Sequence, residues 1–99
     1  MENQQSCIEA CLACMIECEK SASNCMHMDG HHECVKVCRD CADICNLCAR
    51  LCARASQFSD AIRAICVKAC EACINECSKH IHHADCVEAC KKCIEACKM

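Results

Sequence analysis

Residues 7–18 read CIEACLACMIEC, with cysteines at Cys7, Cys11, Cys14 and Cys18. The gaps are four, three and four residues. Gaps that alternate between three and four are the seam of a helix facing other helices, where a leucine or isoleucine normally sits. Here the seam is sulfur. The same spacing returns at Cys34, Cys38, Cys41 and Cys45, and Cys48 and Cys52 carry it on. It returns again at Cys66, Cys70, Cys73 and Cys77, and once more at Cys86, Cys90, Cys93 and Cys97. Cys25 stands apart, seven residues after Cys18 and in the same phase.

The positions beside the seam are aliphatic or small. Ile8, Met15, Val35, Val67, Ile74, Val87 and Ile94 each follow a cysteine, while Ala10, Val37, Ile44, Leu51, Ala69, Ala89 and Ala96 precede one. Glu9, Lys36, Arg39, Lys68, Glu71, Glu88 and Lys91 take the outer faces. Each segment is therefore amphipathic, with a sulfur centre line. Four such segments in 99 residues predict an all-α, antiparallel up-down-up-down four-helix bundle with a cysteine-lined core. The spacing places the helices at about 4–26, 31–54, 59–80 and 84–98, within one domain spanning residues 1–99. MDGHH holds the single glycine and is the first turn. ARASQFSD is the second, with Ser56 or Ser59 as N-cap, and HIHHAD is the third. Two similar hairpins suggest an internal duplication.

Composition narrows the classes. With no proline, one glycine, one phenylalanine and no tyrosine or tryptophan, the chain is poor in turn and strand formers. A net charge of −3 spread over mixed acids and bases offers no basic block for nucleic acid. No apolar run is long enough to span a membrane. MENQQSC lacks the pattern of an export signal, which predicts a cytoplasmic protein. In that compartment the 19 cysteines are expected to stay unpaired, and an odd number cannot all pair in any case.

Why a core of thiols? Cysteine is smaller than leucine, so a seam built of it should leave space that leucine would fill, at a cost in packing energy. Soft metal ions would occupy that space. Thiolates select Cu(I), Zn(II) and iron–sulfur clusters, and cysteines three or four apart on a helix stand close enough to share an ion. The seam from Cys34 to Cys52 is about 27 Å long, enough for a row of ions. Charge separates the candidates. One Cu(I) per thiolate leaves the interior neutral. Four thiolates around Zn(II) leave two negative charges, so four or five such sites would strand about eight to ten in a dry core. The C-x2-C-x2-C-x3-C-P run of bacterial ferredoxins is missing. In the empty bundle the buried thiols stay neutral, and each entering Cu(I) displaces protons. The aliphatic flanks are expected to fold the chain without metal.

One end of the bundle is marked. In an up-down order the first and third turns share an end, and all six histidines lie near them. His31, His80 and His83 fall in seam phase, as do Cys25 and Met28, with Met26 beside them. This end is expected to be the entrance for the ions. The other end, with Leu51, Phe58, Ile62 and Ile65, is expected to be an apolar plug. Met15 reads as core filler.

The repeated C-x3-C-x2-C-x3-C helices and the histidine-rich end resemble the bacterial copper storage proteins, the Csp family, over nearly the whole chain. The resemblance implies a homo-oligomer, commonly a tetramer, that stores many Cu(I) ions inside each bundle. It implies ligation by Cys7, Cys11, Cys14, Cys18, Cys25, Cys34, Cys38, Cys41, Cys45, Cys48, Cys52, Cys66, Cys70, Cys73, Cys77, Cys86, Cys90, Cys93 and Cys97, with His31, His80 and His83 at the mouth. The missing signal and the histidines resemble the cytosolic branch. The expected function is copper storage or detoxification by a binder, not an enzyme. Expected partners are copper ions and a copper chaperone or small-thiol carrier, with no nucleic acid and no membrane. Two alternatives stay open: a zinc or general soft-metal sequestering bundle, and a thiol redox protein or sensor. The latter needs an exposed cysteine of low pKa, a role for which Cys25 alone qualifies.

Overall fold

The computed structural model describes residues 2–80 and 83–98. They form four helices: α1 (Glu2–Cys25), α2 (His32–Ala53), α3 (Ser59–Cys77) and α4 (Ala84–Cys97). Each helix packs on two neighbours, in the cyclic order α1, α2, α3, α4, giving a rod of 42 × 17 × 17 Å. Sulfur fills its axis. Every cysteine is 2% exposed or less. Ile8, Val35, Val67, Ile74, Val87 and Ile94 pack around that axis as a half-buried aliphatic collar. Met15 packs there too, as expected of filler.

The helix ends differ in detail from those the spacing predicts. α1 stops at Cys25 because the chain turns there, with the Met28 N–H donating to the Cys25 carbonyl at 3.0 Å. Met26 thus lies in the turn and not in the helix. Gly30, at φ +78°, supplies the left-handed residue of this turn. α3 stops at Cys77, three residues early, and the His80 N–H closes a turn onto the Cys77 carbonyl. His82, in the middle of the third turn, lies outside the described residues.

The second turn corrects the N-cap expectation. Phe58 is the N-cap of α3, and neither serine caps it. Ser56 Oγ accepts from the Phe58 N–H at 3.0 Å, two residues before the cap position. Ser59 is the first helical residue, and its hydroxyl donates back to the Leu51 carbonyl at 3.3 Å. α2 ends in a Schellman motif. The Ala55 N–H donates to the Cys52 carbonyl at 3.1 Å and the Ser56 N–H to the Leu51 carbonyl at 3.0 Å. This motif needs a left-handed residue, and Ala55 fills the place at φ 50° where glycine is usual.

Candidate metal centre

The thiols form a continuous stack along the bundle axis. At the end where α1 begins and α4 finishes, Cys7, Cys11, Cys48 and Cys97 place their sulfurs within 4.8 Å of one another. Next come Cys11, Cys66, Cys93 and Cys97. At mid-column Cys14, Cys41, Cys70 and Cys90 form a ring with one thiol from each helix. Cys18, Cys73, Cys86 and Cys90 follow. Helical geometry produces these rings: a seam residue advances one turn every three or four positions, so four antiparallel seams meet level by level.

Neighbouring sulfurs touch. Cys38 and Cys77 are 3.3 Å apart, Cys11 and Cys97 3.5 Å, Cys14 and Cys90 3.6 Å, and Cys18 and Cys86 3.7 Å. The expected underfilled seam is therefore not found: the sulfurs stand in contact along the axis. Small side chains let the four helices approach until the thiols themselves fill the axis. The expectation that all cysteines stay unpaired also needs correction: Cys7 and Cys97 are joined as a disulfide. The bundle sets the first turns of α1 beside the last turn of α4, bringing these Cα atoms to 5.0 Å. The other seventeen are buried free thiols.

Burial and mutual hydrogen bonding govern ionisation. In the Cys14–Cys18 pair, 3.9 Å apart, the contact pushes the Cys18 pKa up and holds the Cys14 pKa down. At Cys41 the Cys14 contact acts upward, but Cys18, Cys45 and Cys70 outweigh it and lower the pKa to about 7. A proton shared between two sulfurs favours one thiolate at the expense of its neighbour. Cys25 differs: burial, reinforced by Cys34, pushes its thiol up.

The histidines meet at the other end. His31 and His80 stack with ring centroids 3.9 Å apart, and His83 stands edge-on to His80 at 5.6 Å. His83 is only 2% exposed. Its Nε2 lies 2.7 Å from Cys25 Sγ and 3.6 Å from Cys34 Sγ, where imidazole joins the sulfur column. The seam phase thus places His31, His80 and His83 together. His27 and His32 are exposed nearby, as are Met26 and Met28.

The opposite end departs from the expected plug. Ile62 is buried and Leu51 half-buried, but Phe58 is 59% and Ile65 48% exposed. Cys66 opens a four-residue gap to Cys70, so Ile65, just before it, takes an outer heptad position away from the axis, unlike Leu51, which precedes the cysteine that closes such a gap. The seam position one turn before Cys66 belongs to Arg63, which is buried together with Ser59. Counting back from Cys66 by three would have found it.

These features have close parallels. A family model described as Csp, copper storage protein, matches residues 1–99. The chain belongs to the copper storage protein family. It is 39% identical over 81 residues to the cysteine-rich protein YhjQ of Bacillus subtilis (strain 168), covering 79% of this chain and 75% of YhjQ. Among solved structures it resembles Cu(I)-bound copper storage protein BsCsp3, with TM-score 0.87, 38% identity, and 96% and 94% of the two chains covered. Apo-Csp3 from Bacillus subtilis aligns with TM-score 0.84 and 37% identity over 95% and 94% of the chains. A histidine-to-alanine variant of Streptomyces lividans Ccsp gives TM-score 0.90 and 32% identity over 97% and 89%. The fold is the four-helix bundle of these copper storage proteins, and its core cysteines are positioned to bind metal.

Proposed function

We propose that this chain stores Cu(I) along its axis, as a binder and not an enzyme, with ligation by all nineteen cysteines once the Cys7–Cys97 disulfide is reduced, and by His31, His80 and His83 at the mouth. The observation that carries this reading is the composition of the interior. Among the described residues, the buried side chains able to carry positive charge are Arg63 and His83, at opposite ends of the column. Nothing cationic faces the rings between them. Zn(II) bound by four thiolates would leave two uncompensated charges per ring, whereas one Cu(I) per thiolate leaves none. The similar copper storage protein BsCsp3 is Cu(I)-bound in its solved structure, which supports the same cargo.

The zinc or soft-metal alternative has one observation in its favour: rings such as Cys14, Cys41, Cys70 and Cys90 offer four free thiols within 4.8 Å, a set that can close around a tetrahedral ion. A competition experiment separates the two. Reduced protein given equal amounts of Cu(I) and Zn(II) without oxygen should hold copper in large excess after gel filtration. Retention of zinc at one ion per four cysteines would overturn the copper reading. The redox alternative loses its candidate, because Cys25 is buried with a raised pKa.

Seventeen free thiols suit a reducing compartment, which supports a cytoplasmic location. Leu12, Ile16, Leu47 and Ile65 expose apolar surface on three helices, which supports self-association, with the tetramer of the family as the form we propose. Light scattering at micromolar concentration tests that assembly. A copper chaperone or small-thiol carrier is the expected donor or acceptor at the histidine end.

A further inference from the structure

Arg63 is the charged side chain at the end of the column remote from the histidines. It is 6% exposed. Its Nε donates to the Cys97 carbonyl at 3.2 Å and its Nη2 to the Lys98 carbonyl at 3.3 Å. The last carbonyls of a helix have no partner within it and carry the negative end of its dipole. Arg63, on α3, therefore satisfies the end of α4 by reaching across the bundle. The residue it holds, Cys97, belongs to the last four-thiol ring, with Cys7, Cys11 and Cys48. Ile62 and Ser59 are buried beside it, and the Ser59 hydroxyl ties this end to α2 through the Leu51 carbonyl.

We propose that Arg63 is a positioning residue that clamps the last turn of α4 over the terminal Cys7–Cys11–Cys48–Cys97 ring, sealing that end so that ions pass only through the histidine end. The direction of traffic rests on the copper-storage reading, whereas the seal does not. A guanidinium suits the task because two of its donors reach two carbonyls at once from a fixed plane. The lysine ammonium offers a single nitrogen on a flexible stem, without that fixed fork. An alkyl side chain would leave both carbonyls without their donor and, once the Cys7–Cys97 disulfide is reduced, the terminal turn free to open.

The test is site-resolved alkylation of the fully reduced, metal-free protein. Wild type, Arg63→Ala and Arg63→Lys are pulsed with iodoacetamide without oxygen, and each cysteine is read by mass spectrometry. In Arg63→Ala, Cys97 and Cys7 should label about tenfold faster, as expected for the loss of charged hydrogen bonds that hold a local opening shut. Cys34, Cys77 and Cys86, at the histidine end, should keep their wild-type rates. Arg63→Lys should fall between, and it carries the test if Arg63→Ala does not fold. Wild-type rates at Cys97 and Cys7, or a uniform acceleration of all cysteines, would overturn the seal. In copper-loaded protein, extraction by a bulky chelator should quicken severalfold in Arg63→Ala. An unchanged extraction rate with faster Cys97 labelling would leave the clamp standing and overturn the one-ended route. Failure of wild type to take up copper would count against the storage reading alone, since the alkylation pattern needs no metal.

Discussion

The imidazole of His83 and the thiol of Cys25 meet at 2.7 Å inside the bundle, where α1 ends and α4 begins. This contact joins a nitrogen ligand to a column that is otherwise sulfur. An incoming ion can therefore pass from imidazole to thiolate over one short step. Replacing His31, His80 and His83 together by alanine should slow copper loading and release by about tenfold while capacity falls by no more than a few ions, on the scale of one lost charged contact. Stopped-flow mixing with a chromophoric Cu(I) chelator measures both. Reduced capacity with unchanged rates would show that the histidines store ions and do not admit them.

The bundle should fold without copper. Its thiols already touch, and the aliphatic collar is already packed. Far-ultraviolet circular dichroism of the reduced, metal-free protein should show a strongly helical spectrum that changes little on loading. A coil spectrum that becomes helical only with Cu(I) would mean that the metal drives folding.

Alkaline pH should destabilise the metal-free protein. Burial raises the Cys25 pKa above its ordinary value of 9.0, so the folded state favours the neutral thiol. Stability from this group is complete below pH 9.0. Above it the unfolded chain ionises first, and the stability is lost as pH rises through the folded pKa. Thermal melts of the reduced protein should fall as the pH is raised above 9.0, while the copper-loaded form, whose thiolates hold no protons, changes less.

The Schellman turn after α2 offers a gain. Ala55 holds a left-handed conformation at φ 50° that glycine adopts without strain. Ala55→Gly relieves that strain but adds freedom to the unfolded chain, for a net stabilisation of about 0.5 kcal/mol. Gly30→Ala is the reverse case. No neighbour lies within 4 Å of the added Cβ, so the balance is again backbone strain at φ +78° against lost freedom of the unfolded chain, for a net cost of about 0.5 kcal/mol. Urea unfolding of the reduced proteins measures both.

Much of this architecture can be read from the spacing of one residue type. The alternating three- and four-residue gaps place all nineteen cysteines inside, and the same phase carried outward from Cys77 and Cys86 places His80 and His83 together. Reading by residue type instead of by phase fails at the other end. Phe58 and Ile65 look like a plug because they are apolar, yet they face outward, while the seam belongs to Arg63, which finds its partners on α4's carbonyls. A sequence does not display such partners, because they are backbone atoms brought close only by the tertiary fold. The same holds for Ala55, whose side chain carries no sign of a left-handed turn, and for the Cys7–Cys97 pair, which spans 90 residues.

Anaerobic titration of the fully reduced protein with Cu(I), against a competing chelator, tests the central claim most directly. Tight binding should continue to an endpoint near 19 ions per chain, one for each cysteine. An endpoint of about four or five, the number of four-thiolate sites the rings could form, would contradict a neutral copper-filled interior.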